Sequence, residues 1–93
     1  MRAIERASAF KRDYKREAKG QHRATLDSDL QPVLVALLTD QPLDGRYRDH
    51  DLTGNWASYR ECHLKPDLLL IYRLADPDTL RLARLGSHSE LFG

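Results

Sequence analysis

Apolar positions change their period along the chain. At Ala7, Phe10, Tyr14 and Ala18 they fall three and four apart, with Lys11, Arg12, Lys15, Arg16 and Lys19 between them. That is the thin stripe of an amphipathic helix, with Ser8 as its N-cap, an end near Lys19 and Gly20 just beyond. Arg2 to Arg6, ahead of it, reads as a short strand. A stronger series, Leu26, Leu30, Val33, Leu34, Leu37 and Leu38, predicts a second helix with a core-facing side. Pro32 would break a helix interior. The regular part is therefore expected to start with Ser28 or Asp29 as cap, leaving the proline within or beside the first turn.

From Gln41 to Asn55 the pattern dissolves into a long loop, of the kind that often carries function in small domains. Strand-like runs follow at Trp56 to Leu64, Leu68 to Leu74 and Thr79 to Leu85, separated by Lys65-Pro66-Asp67 and Asp76-Pro77-Asp78. Connections this short predict antiparallel hairpins. The middle run, Leu-Leu-Leu-Ile-Tyr, is apolar on both faces and belongs at the centre of the sheet. After Gly86, Ser87-His88-Ser89-Glu90 matches the S-x-x-E capping box and predicts one helical turn with His88 at its first position.

Ninety-three residues support one domain around one core. The lone cysteine, Cys62, excludes an internal disulfide framework and fits a reducing compartment. The apolar run Leu68 to Tyr72 is far too short to span a bilayer, and Met1 to Ala9 is charged and unlike a signal peptide, so a cytoplasmic protein without membrane contact is expected. Charge is unevenly spread. Met1 to Arg23 holds eight Lys or Arg against three acids, a net of +5, leaving 7 basic against 11 acidic residues in the remainder. A basic arm of this kind suits phosphate backbones or an acidic partner, and also suits a plain solvated helix face.

Alternation along Trp56 to Leu64 places Tyr59, Glu61 and His63 on one face and Ser58, Arg60, Cys62 and Leu64 on the other. An acid and a histidine thus stand side by side, with Asp67 at the hairpin end. His88 lies beyond the last strand, and His50 in the long loop could cover the same region. A histidine–carboxylate cluster suits proton transfer, one group acting as base and another as acid, with cations stabilising any negative charge that develops. Arg84, Arg60 or Lys65 could supply that positive charge, with Arg84 preferred because it precedes the Gly86-Ser87-His88 corner. A metal site from Cys62, His63, His50 and His88 fits poorly, because Cys62 and His63 are adjacent and point to opposite faces. No cofactor is expected. A bare nucleic-acid-binding module would retain RNA without cutting it.

The segments Tyr47 to Trp56, Tyr59 to Asp67, Ile71-Tyr72, Gly86-Ser87-His88 and Leu91-Phe92-Gly93 together resemble YafQ-type toxins of the RelE family, in order and over nearly the whole chain. The resemblance implies an α+β, microbial-ribonuclease-like fold with two N-terminal helices packed on a small antiparallel sheet. It implies cleavage of ribosome-bound mRNA and a cognate antitoxin protein as partner. Carried over residue by residue, it makes His50, His63, Asp67 and His88 catalytic, Glu61 the supporting acid where relatives often have aspartate, and Phe92 the aromatic that stacks on a base. The same superfamily contains gyrase-poisoning toxins of similar fold. A protein that only blocks a partner, however, needs no such histidine set.

Overall fold

The computed structural model describes residues 1–93. Five strands form a sheet in the order β1-β5-β4-β3-β2: β1 (Ala3–Arg6), β2 (His50–Asp51), β3 (Arg60–Lys65), β4 (Leu68–Asp76) and β5 (Thr79–Gly86). Helices α1 (Ser8–Glu17) and α2 (Leu26–Leu38) precede the strands β2–β5, and a short helix α3 (His88–Phe92) closes the chain. The two hairpins are antiparallel as expected, but β1 lies parallel to β5, so the sheet is mixed. Single-sequence pattern identifies a strand without giving its direction, and here two helices and three further strands separate the parallel pair.

Strand β4 is central, and its alternation separates two cores. Leu68, Leu70 and Tyr72 join Leu80, Leu82, Leu85 and Cys62 under α1 and α2, with Phe10, Leu26, Leu30, Val33 and Leu37 coming from the helices. Leu69 and Ile71 face the other way, into a smaller cluster with Ala83 and Leu91, edged by Leu52, Trp56 and Tyr59. One face of the sheet is thus roofed by helices, and the other is covered only by loops and α3. Each fully covered leucine contributes about 1.5–3 kcal/mol, so the roofed face dominates stability and the open face is left for polar groups.

Several boundaries differ from the sequence reading. Helix α2 begins at Leu26 and takes Pro32 into its interior. The proline sits only seven residues in, and burial of Leu26, Leu30, Val33 and Leu37 outweighs the lost backbone hydrogen bond. Helix α1 is capped at Ala7 with no side-chain bond, so Ser8 is not its cap. Its inward face also differs: Phe10, Asp13 and Glu17 are buried, while Ala18 is exposed. Trp56 belongs to a 3-10 turn (Gly54–Trp56), and the strand behind it starts at Arg60.

Candidate active site

Pairing in the sheet sets the site. His50 on β2 lies directly opposite Glu61 on β3, and Glu61 opposite Ile71 on β4, so these side chains share the open face. His63 follows two residues on from Glu61, as the strand alternation requires. His50 is therefore a strand residue and not a loop cover. The chain reaches β2 through a 3-10 turn (Gly45–Tyr47) that ends at Arg48 in the left-handed conformation, with φ of 50°. The Arg48 carbonyl then accepts from Nδ1 of His50 at 2.8 Å, leaving Nε2 turned to Glu61.

Glu61 is buried, and one of its oxygens lies 3.7 Å from His50 Nε2 and 3.8 Å from His63 Nε2. These separations are long for hydrogen bonds and leave room to tighten around a substrate. The His50 and His63 rings are 6.3 Å apart, and the His63 and His88 rings 5.8 Å apart. Nδ1 of His63 is buried without a partner. On the other flank, Asp67 accepts from the backbone N–H of His88 at 3.0 Å and contacts His88 Nδ1 at 2.9 Å. Both bonds hold the Asp67 carboxyl below its ordinary value, the backbone one most strongly. His88 opens α3, whose capping box is complete: Ser87 Oγ accepts from Glu90 N–H, and Glu90 accepts from Ser87 N–H.

His50, Glu61, His63, Asp67 and His88 are thus brought together, as a dish with a carboxylate at each end and His63 between. Donor atoms of Glu61, His63 and His88 lie within 4.8 Å of one another, a set that fits a metal cation. Cys62 takes no part, because it is buried in the helix-covered core, and burial pushes its thiol far up.

The basic residues divide. Arg84 sits opposite Ile71 in the register, but Asp13 of α1 holds its Nε at 2.6 Å and its Nη2 at 3.2 Å, leaving Nη1 without a protein partner. Burial pushes Asp13 up, yet bonds from Arg84 and the Leu85 N–H, with the charges of Arg84 and Arg16, outweigh it and leave the carboxyl below its ordinary value. Arg60 does not join the dish. It lies opposite Tyr72 and is bound by Asp49 and Asp51, since an odd position on β3 relative to Glu61 points to the roofed side. Lys65 pairs with Asp29 at 2.9 Å, in a cleft of about 300 Å³ that also contains His63, Arg46 and Arg48. Arg46 and Arg48, which pattern reading passed over as loop residues, make no ion pair, and their proximity to His63 arises from the β2 crossover. His22 lies with Asp67, Ser87 and Glu90 at another shallow cavity, a placement no spacing announces. Phe92 is 47% exposed at the end of α3.

Residues 2–93 match the family described as the bacterial toxin of type II toxin–antitoxin system, YafQ. The chain is 37% identical over 92 residues to the mRNA interferase toxin YafQ of Escherichia coli strain K12, covering 97% of this chain and 99% of that protein. Among solved structures, the E. coli DinJ–YafQ complex contains a chain that superposes with a TM-score of 0.84 at 36% identity, with all of both chains covered. A copper-bound mutant toxin from Helicobacter pylori superposes with a TM-score of 0.84 at 40% identity, covering 99% of this chain and all of that one. Sequence and fold agree: the chain belongs to the YafQ family of bacterial type II toxin–antitoxin toxins.

Proposed function

We propose that this protein is an endoribonuclease that cleaves mRNA on the ribosome by proton transfer between side chains, and that a cognate antitoxin holds it in check. The observation that carries this reading is the grouping of three histidines and two carboxylates on one open face, within reach of a single phosphate. The RNA 2′-oxygen forms a bond to phosphorus while the bond from phosphorus to the 5′-oxygen breaks. The Glu61-flanked pole and the Asp67-held His88 share the work, one taking the 2′-hydroxyl proton and the other delivering a proton to the leaving oxygen. Arg84 is assigned the cation that meets charge on the phosphorane, its Nε and Nη2 bound by Asp13 and its Nη1 without a protein partner.

A cation held by Glu61, His63 and His88 would supply Lewis-acid stabilisation of the phosphate. The side chains already provide base, acid and positive charge, so cleavage of preformed ribosomal complexes is expected to survive EDTA. Loss of cutting that only zinc, manganese or copper restores would overturn the metal-independent reading.

Mapping mRNA 5′ ends after brief induction tests the activity itself. New ends should appear within translated regions and vanish with His88→Ala. Translation arrest without new ends would refute the nuclease.

The antitoxin is expected on the groove between α1 and α2. It measures about 530 Å³, is floored by Phe10, Leu30, Leu34 and Leu82, and is rimmed by Arg6, Lys11 and Lys15, none of which makes an ion pair. An amphipathic segment with acids along its edges fits that chemistry.

A further inference from the structure

We propose that Arg16 is a positioning residue for the nuclease, acting through Glu90 to fix the C-terminal turn that carries His88. The inference rests on the reading of His88 as a proton-transfer residue. Helix α3 has five residues, too few to be stable alone, so its orientation depends on what it is tied to. Leu91 anchors it in the smaller core, and the Asp67 contact holds His88 from one side. The third tie is Arg16.

The Arg16 guanidinium spans three elements. Within α1, Nη1 donates to Asp13 at 2.9 Å and Nε to Glu17 at 3.0 Å; Nη2 donates to the Leu85 carbonyl on β5 at 2.8 Å, and Nε forms an ion pair with Glu90 Oε2 on α3 at 2.9 Å. Glu90 uses its other oxygen to accept from the Ser87 N–H at 2.9 Å. Its carboxylate is therefore clamped between the helix's own first turn and α1. Gly86 makes the crossing feasible: a Cβ there would stand 2.7 Å from Arg16 Nη2 and 3.1 Å from Glu90 Oε1. The missing side chain thus has a function beyond ending the strand. Buried Asp13 holds both Arg16 and Arg84, so one carboxylate in α1 orders two guanidinium groups.

The Arg16–Glu90 contact is half exposed, with side chains 41% and 37% accessible, and pairs of that kind add little to stability. Its consequence is orientation. Misplacing a reacting group by about 1 Å can cost about a hundredfold in rate.

Glu90→Gln keeps an oxygen for the Ser87 N–H and removes only the charge facing Arg16. We expect it to melt as the wild type does and to bind ribosomes equally, while single-turnover cleavage falls about ten- to a hundredfold. The ¹⁵N resonance of His88 Nδ1, measured on the free protein, should move towards that of an unbonded imidazole. Arg16→Gln and Gly86→Ala should reproduce the loss of cleavage and the His88 shift, Arg16→Gln with a lower melting temperature because it also strips a partner from buried Asp13 and Glu17. Arg16→Gln combined with Glu90→Gln should cleave no worse than Arg16→Gln alone. Wild-type cleavage by Glu90→Gln with an unmoved His88 resonance would overturn the proposal, as would a double variant showing the product of two separate losses. If Arg16→Gln does not fold, Glu90→Gln decides alone. If His88→Ala still cuts RNA, the reading of His88 fails, while the His88 resonance in Glu90→Gln still tests the clamp.

Discussion

A phenylalanine that plugged the core would be covered, and nearly half of Phe92 meets solvent. Its neighbour Leu91 does the anchoring, which leaves the ring free to stack on an unpaired base beside His88. Stacking of this kind is worth roughly 1–3 kcal/mol, or about five- to over a hundredfold in binding or positioning. Phe92→Leu keeps most of the apolar volume and loses the π face, so its melting temperature should match the wild type while cleavage drops by that factor. Normal cutting would remove Phe92 from the site. Cys62 gives the opposite expectation. It has no exposed surface, and its thiol is pushed far up by burial, so it should resist alkylation in the native protein and react only on unfolding. Both expectations follow from which face or end a residue occupies. The sequence showed this for Glu61 and His63, because strand alternation is local, and hid it for His22, Arg46 and Arg48, whose neighbours come from distant segments.

At the scale of elements, apolar pattern was enough to read the two long helices and the three long strands, while α3 was read from its capping box. Pattern misread the ends. Helix α2 starts before its proline because Leu26 has a core to enter, and β3 starts after Ser58, whose φ of 79° interrupts extended backbone. The inner face of α1 was the deeper miss. Ala7, Phe10 and Tyr14 of the expected stripe do pack on the core, but Ala18 is exposed, and Asp13 and Glu17 turn inward because Arg16 and Arg84 meet them there. Asp13→Asn weakens charge-assisted bonds to Arg16 and Arg84, groups that keep some contact with water, so it should be destabilising at neutral pH by about 1.5–3 kcal/mol. The Asp13 carboxyl is depressed below its ordinary 3.8 in the folded protein. Its stabilisation is therefore complete above that value and is lost as pH falls through the lower folded one. Asparagine does not titrate there. In denaturant melts the gap between wild type and Asp13→Asn should narrow below about pH 3.8, and a gap constant down to pH 2 would contradict this assignment.

Across the whole molecule, the sheet divides labour between its faces. The roofed face supplies stability and, through the cleft between its two helices, a surface with apolar floor and cationic edge. The open face carries the histidines. This division explains why the charge asymmetry was legible from the sequence while its meaning was not: +5 in the first 23 residues fits RNA as readily as an acidic protein. In the fold, Lys11 and Lys15 rim the helix groove, away from the face that carries the histidines. An antitoxin segment seated in the groove would meet Lys11 and Lys15 directly, and its affinity would contain an electrostatic part that salt screens, with a Debye length of about 10 Å at 0.1 M. Lys11→Glu with Lys15→Glu should accordingly weaken the complex strongly at low salt and much less at high salt. Cleavage by the free toxin should persist, since neither residue touches the dish. The apolar floor gives an independent measure: Leu34→Asp, at a partly buried position packed against the core, should weaken binding at every salt concentration. Isothermal titration at two ionic strengths distinguishes the two contributions. Unchanged affinity in both the charge-reversed and the Leu34→Asp proteins, each folded by its melting curve, would place the antitoxin on another surface.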